Sequence, residues 1–125
     1  MVYGWLYPRS HQMSVVNAGH SPVLHYHKGS VSRVEPTGVA LGMIETQYTE
    51  VRLSMAPGDV FFTCSDGVTE PMGPDAAGEG WVEAKLVELA ALPAREIVEE
   101  VLSGALAVYQ TPRDDMSILV VKCTA

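Results

Sequence analysis

The apolar positions along the chain change period once. Up to about residue 63 they form short runs and alternations broken by Gly, Pro and Ser clusters, which predicts strands and turns without a helix. Residues 2–7 and 13–18 predict a hairpin around Pro8-Arg9-Ser10-His11-Gln12. Residues 23–27 and 31–34 predict strands that pair back across Lys28-Gly29-Ser30. Residues 48–55 alternate with one slip, as a half-buried strand does, and Pro57-Gly58-Asp59 turns the chain into an apolar strand at residues 60–64. Helical spacing starts only later. Val82, Leu86, Leu89 and Ala90 share one face of a segment at 81–92, which Pro93 stops. Ile97, Val98, Val101, Leu102, Ala105 and Val108 continue the pattern over 94–109, with Arg95 and Glu99 spaced to pair across one turn. Residues 110–113 connect to a last strand at 116–122.

Strands, an acidic turn, two helices and a strand, in that order, indicate an α+β fold with the helices on one face of an antiparallel sheet. The last strand is almost continuously apolar, so a central position is expected for it. Residues 73–80, rich in Gly, Pro, Ala and acids, read as a mobile surface loop.

Composition narrows this picture. A chain of 125 residues, 47% hydrophobic and 18% charged, is one small globular domain at most. Its net charge of −7 argues against nucleic acid as a partner, because little would neutralise a run of phosphates. The same charge fits a protein that gathers carboxylates around a cation, or simply a well-solvated surface. Cys64 and Cys123 stand far apart in apolar runs and read as buried thiols in a reducing, cytoplasmic setting. No apolar stretch approaches the ~18 residues of a membrane span, and the first residues lack the basic flank of a secretory signal.

Two segments place acids at the mouths of apolar strands. Phe61-Phe62-Thr63-Cys64 leads into Ser65-Asp66-Gly67-Val68-Thr69-Glu70, and Asp114-Asp115-Met116-Ser117 leads into Ile118-Leu119-Val120-Val121. Taken alone, Asp66-Gly67 reads as a turn with a capping acid, and Asp114-Asp115 as a polar turn. Two strand ends lying side by side with carboxylates at their tips would instead suit a hard divalent cation, which prefers oxygen ligands. Gly67 would let the backbone turn sharply or bring its carbonyl close to an ion, and Glu70 could return to the same ion. His25 and His27 share one strand face and could bind Zn²⁺, but no third ligand is evident. Trp5 and Trp81 read as core or edge aromatics.

These segments, with two others, resemble a family. Asn17-Ala18-Gly19-His20-Ser21-Pro22, Pro57-Gly58-Asp59-Val60, Ser65-Asp66-Gly67-Val68-Thr69-Glu70 and Asp114-Asp115-Met116-Ser117 look like successive signatures of the bacterial PP2C-like phosphatases. The resemblance is in particular to the sporulation stage II protein E and sigma-factor-regulator branch, and it runs over residues 1–122. It implies an antiparallel β-sandwich flanked by helices, and hydrolysis of phosphoserine or phosphothreonine with Mn²⁺ or Mg²⁺. By position, Asp66 and Asp114 then look like ligands of a two-metal centre that activates a bridging water. Asp115 looks like a supporting residue, Glu70 like a ligand for a further, weaker ion, and His20 stands where many relatives carry an Asp for that ion.

The resemblance also implies that the family's domain begins earlier, with a strand, a long helix and a Gly-Asp-type motif that supplies a bridging carboxylate. Residues 1–125 are therefore expected to be an N-terminally truncated, partial domain. One expectation is the C-terminal portion of a phosphatase acting on a phosphorylated protein such as an anti-sigma-factor antagonist. The alternative is a catalytically incomplete remnant that works as a protein-binding module. A missing strand would leave an open edge, which predicts a homodimer or pairing with the missing N-terminal segment.

Overall fold

A computed structural model describes residues 1–74, 76–108 and 114–125. Strand β1 (Val2–Tyr7) pairs antiparallel with β2 (Gln12–Asn17), Val2 facing Asn17 and Tyr7 facing Gln12, so the expected hairpin forms. Strand β3 (Val23–His27) turns back into β4 (Ser30–Val34) through Lys28 and Gly29, both at positive φ, the backbone hand that a tight hairpin needs. Strand β5 (Val51–Ser54) joins the other side of β2, while β6 (Val60–Cys64) lies between β3 and β7 (Ile118–Lys122). Two antiparallel sheets result, ordered β1-β2-β5 and β4-β3-β6-β7.

Period-2 alternation divides β3 and β6 between two cores. Val23 and Phe61 point inward to meet Met13, Val15, Val34 and Met55 between the sheets. Leu24, Val60, Phe62 and Cys64 point the other way, onto helices α2 (Ala76–Leu89) and α3 (Ala94–Leu106). Val82, Leu86, Leu89, Ile97, Val101 and Ala105 are buried in that core, as the spacing predicts, whereas Val98 and Leu102 are half-buried and Val108, past the end of α3, is exposed. Pro93 stands at the N-cap of α3, and Arg95 pairs with Glu99 at 2.8 Å. Gly104 leaves space for the Trp81 ring, so that Trp81 packs on the core edge. No described helix is long and apolar enough to cross a membrane.

Four expectations are corrected. Residues 76–80 of the expected 73–80 loop are instead the first turns of α2. Gly78 lets that turn approach the Thr69 carbonyl, and Glu79 with Glu83 holds Arg33 of β4, so contacts outside the segment make a helix of it. The strand at 48–55 shortens to β5, because Tyr48 Oη donates to the Val39 carbonyl and Thr49 N–H donates to Thr37 Oγ1, drawing that end into a loop. Strand β7 is an edge strand rather than a central one. Its apolar run reflects cover on both faces: Ile118 and Val120 meet the helices and Val121 meets the inter-sheet core, while Leu119 stays 55% exposed. Helix α3 ends at Leu106; Tyr109 and the connector at 110–113 lie outside the described residues.

The outer face of β1 is the opposite case. Tyr3, Trp5 and Tyr7 alternate along it and stay exposed, with the Arg52 guanidinium 5.8 Å over the Tyr7 ring. Among the described residues the helices pack against the four-stranded sheet, with side chains of β3, β6 and β7 in the shared core.

The packing gives a direct test. Leu86→Ala removes a fully buried side chain from the helix–sheet core and is expected to cost about 2–5 kcal/mol. Val87→Ala, one residue on and 45% exposed, is expected to stay within about 0.5 kcal/mol. Urea unfolding followed by tryptophan fluorescence measures both, and equal losses would contradict the assigned helix face.

Candidate metal and phosphate site

Strands β6 and β7 pair from Val60 with Lys122 to Cys64 with Ile118. The next residues extend that ladder through a serine clamp. Ser65 N–H donates to the Ser117 carbonyl at 2.9 Å, Ser117 N–H donates to Ser65 Oγ at 2.9 Å, and Ser65 Oγ donates to the Asp115 carbonyl at 3.1 Å. Directly beyond it, the short helix α1 (Asp66–Thr69) starts with Asp66, and Gly67 is buried against the other acidic segment. A Cβ on Gly67 would collide with the Asp115 carbonyl oxygen and lie 3.3 Å from that of Asp114. The glycine is thus required by close backbone contact between the two segments rather than by a positive-φ turn.

The Asp66 and Asp114 side chains are both exposed at these joined tips. Asp66 Oδ1 accepts a 2.6 Å hydrogen bond from Ser21 Oγ, and Asp114 Oδ1 accepts from Asp115 N–H at 2.8 Å. Strand β6 is buried, but the chain surfaces as α1 begins, so the Asp66 carboxylate reaches solvent. Asp115 contributes backbone to the clamp and keeps its side chain exposed. Glu70 opens a single 3₁₀ turn (Glu70–Met72), also exposed, with no side-chain hydrogen bond or ion pair among the described residues.

The 17–22 segment explains how Ser21 comes to Asp66. Asn17 is fully buried; its amide donates to the Ser21 and Val34 carbonyls at 3.1 Å each, and its Oδ1 accepts from His20 N–H at 2.9 Å. Gly19, at φ 68°, sits where a side chain would strike Ala40. His20 Nδ1 lies 3.1 Å from the Ser21 carbonyl, a loop contact. Ser21, Ser65 and Ser117 were not legible as site residues, since a serine hydroxyl is recognised only by what it touches. The Asn17-to-Pro22 motif was the available signal for Ser21.

The donors here are all oxygens, which suits a hard cation. They fit as part of a shell: among the described residues no group of three or more His, Cys, Asp or Glu is arranged to hold a metal ion. Thr63 Oγ1 on β6, three residues before Asp66, is buried without a hydrogen-bond partner. Burial, reinforced by the negative charges of Asp66 and Glu79, pushes the Cys64 thiol up to about 12, so it is an inert core group. Cys64 and Cys123 are both free thiols.

His25 and His27 are brought together, but around a carboxylate. His25 Nε2 lies 3.1 Å from Asp59 Oδ2, and His27 Nδ1 lies 2.8 Å from Oδ1. Ala56 N–H donates to Asp59 Oδ2 at 3.0 Å. Burial alone would push the Asp59 carboxyl up, but the hydrogen bonds from Ala56, His27 and His25 outweigh it, and the group lies below its ordinary value.

Two antiparallel sheets with helices packed on one of them, and acids joined at the tips of β6 and β7, define a PP2C-type phosphatase fold. The sequence model of the stage II sporulation protein E (SpoIIE) family matches residues 1–124, and the chain belongs to that family. Among solved structures, the Mn-presoaked phosphatase domain of SpoIIE from Bacillus subtilis matches with a TM-score of 0.81 at 18% identity, over 99% of this chain and 56% of that one. The RsbU and RsbW domains of a Mycobacterium tuberculosis protein match with a TM-score of 0.85 at 26% identity, over 99% of this chain and 36% of theirs. The catalytic domain of the serine/threonine phosphatase PstP, solved with two manganese ions, matches with a TM-score of 0.69 at 16% identity, over 92% of this chain and 55% of that one. The chain thus spans little more than half the length of the SpoIIE and PstP domains. A search of curated proteins finds no match.

Two predictions follow the geometry. Gly67→Ala must push the 66–67 and 114–115 segments apart and is expected to destabilise the fold by about 1–3 kcal/mol; a melting temperature equal to that of the parent would contradict the close contact. Asp59 has a lowered folded pKa, so its stabilisation is complete above the unfolded carboxylate value of about 3.9. It is lost as pH falls below that, through the folded value. Asp59→Asn is accordingly expected to be less stable at neutral pH and to flatten the acid limb of a stability–pH curve below about pH 4.

Proposed function

We propose that this chain is the C-terminal portion of a metal-dependent protein phosphatase domain. Its substrate class is phosphoserine or phosphothreonine on a protein partner, such as an anti-sigma-factor antagonist in a bacterial cytoplasmic partner-switching circuit. The observation that carries the reading is the clamp of Ser65, Ser117 and Gly67, which joins two acidic strand tips into one oxygen-rich surface. The SpoIIE family match supports it.

Asp66 and Asp114 would hold Mn²⁺ or Mg²⁺ as the principal carboxylates, with the Gly67 carbonyl beside them and Asp115 and Glu70 in supporting positions. Such an ion supplies a water of lowered pKa as nucleophile and stabilises charge on the phosphoryl oxygens. Ser21 orients Asp66 by donating to Oδ1, leaving Oδ2 for coordination. The chain need supply no covalent nucleophile, in keeping with the inert Cys64. The remaining carboxylate of a two-metal pair would come from chain outside these 125 residues, which accords with the share of the solved domains the sequence spans.

The second reading is a binding module without catalysis. It is favoured by the incomplete donor set among the described residues and by the exposed row of Tyr3, Trp5 and Tyr7 on β1. Homodimerisation, or pairing with an N-terminal segment along β1 or β7, belongs to either reading.

Hydrolysis of an aryl phosphate with added Mn²⁺, by the chain alone and with a relative's N-terminal segment supplied in trans, separates the two. Turnover that disappears in Asp66→Asn and Asp114→Asn, with Ser21→Ala weakening Mn²⁺ binding by roughly 10–100-fold, is the result expected of the phosphatase. Neither turnover nor Asp66-dependent Mn²⁺ binding in either format would leave the binding module.

A further inference from the structure

Arg33 of β4 is held by two carboxylates one turn apart on α2. Its Nη1 donates to Glu79 at 2.9 Å, its Nε donates to Glu83, and Glu35 lies 3.9 Å away. Among the described residues the ion pairs of Arg52, Lys85 and Arg95 span two, three and four positions, whereas Arg33 reaches 46 and 50 positions along the chain. Arg33, Glu79 and Glu83 are half-buried, so solvent screens them less than the exposed Arg95–Glu99 pair. A planar guanidinium that engages two carboxylates also fixes orientation, which a single-point pair does not.

The fork seats the first turns of α2 against α1. Gly78, next to Glu79, is buried, and a Cβ on it would collide with the Thr69 carbonyl oxygen. Thr69 is the last residue of α1, and its Oγ1 donates to the Asp66 carbonyl at 3.2 Å. The Asp66 carboxylate takes the Ser21 hydroxyl. Ser21, Thr69 and Glu79 line one gap of about 20 Å³, with Val82 of α2 on its wall. The Cys64 thiol, on the same gap, feels the negative charges of both Asp66 and Glu79. Both hydroxyls that hold Asp66 thus border the carboxylate that Arg33 holds.

We propose that Arg33 is a positioning residue for the Asp66 site, a role that rests on the reading of Asp66 as a metal ligand. Through Glu79 and Glu83 it seats α2, Gly78 of α2 supports Thr69, and Thr69 fixes the turn that presents Asp66.

Amide hydrogen exchange of the ¹⁵N-labelled full chain in chelator tests the geometry. Val68 and Glu70 N–H donate to the Ser65 and Asp66 carbonyls and report on α1. In Arg33→Met their protection is expected to fall roughly three- to thirtyfold relative to Phe62 and Val101 in the core. Glu79→Gln should give the same selective loss, Arg33→Lys should recover part of it, and Arg95→Met should leave α1 as in the parent. An equal loss at α1 and core, no selective loss in Arg33→Met and Glu79→Gln, or the same loss in Arg95→Met would overturn the proposal. Calorimetric titration with Mn²⁺ alone reads the consequence, a fall in affinity by a similar factor in Arg33→Met. Equal Mn²⁺ affinity in parent and Arg33→Met would overturn the proposal too. A parent that binds no Mn²⁺ would remove the metal-ligand reading, while the exchange pattern still decides whether Arg33 positions Asp66.

Discussion

The candidate site depends on one short stretch of backbone pairing. Beyond the last ladder pair of β6 and β7, Ser65 and Ser117 continue the hydrogen bonding with one backbone bond and two through a hydroxyl. Strand tips ordinarily splay once their ladder ends. Here the clamp, with Gly67 lying against the Asp115 carbonyl, keeps two acidic segments almost fifty residues apart in sequence in direct contact. The contact itself is between backbone atoms, and the Asp66 and Asp114 side chains stay exposed on either side of it.

The rest of the fold positions these tips. The helix layer covers one face of β6 and β7, the inter-sheet core takes Phe61 of β6 and Val121 of β7 from the other, and the strands therefore emerge at a fixed place. Asn17 performs the corresponding service for the neighbouring loop. A fully buried amide is costly unless its donors and acceptor are met, and Asn17 meets them by folding the 17–22 segment around itself. Ser21 reaches Asp66 as a consequence. The three-stranded sheet is less complete as a layer, because its aromatic outer row remains in water. A sheet face of this kind is normally covered by another layer.

How much of this the sequence disclosed depends on what carried the information. Helix faces were legible because Leu86, Ile97 and Val101 sit at fixed intervals, and hairpins because Lys28-Gly29 is local turn chemistry. Asp66 and Asp114 were legible as candidates because acids beside apolar strands break the pattern. What failed was tertiary in origin. The first turns of α2 are secured by Thr69 and by Arg33 of β4, neither of which a local window includes. Continuous apolarity in β7 was read as centrality, whereas an edge strand between a helix layer and a second sheet needs the same composition. The meeting of His25 and His27 on Asp59 depends on the β3–β6 register, in which Tyr26 faces Val60, and no spacing rule supplies that.

The two aspartates that bracket β6 show how to separate a carboxylate of the fold from one available for chemistry. Asp59 and Asp66 both belong to motifs shared with a phosphatase family, and both flank the same buried strand. Asp59 is enclosed, and its oxygens accept from two imidazoles and a backbone N–H; another ligand would have to break those bonds within the protein interior, where an unpaired charge is most costly. Asp66 is exposed and accepts one bond, from a serine that orients it without neutralising it. Both oxygens of the first carboxylate are already bonded, and among the described residues only one oxygen of the second is. Saturation by the protein, rather than motif membership or proximity to β6, therefore assigns Asp59 to tying β3 to the turn before β6, and leaves Asp66 with a carboxylate oxygen that accepts no hydrogen bond among the described residues.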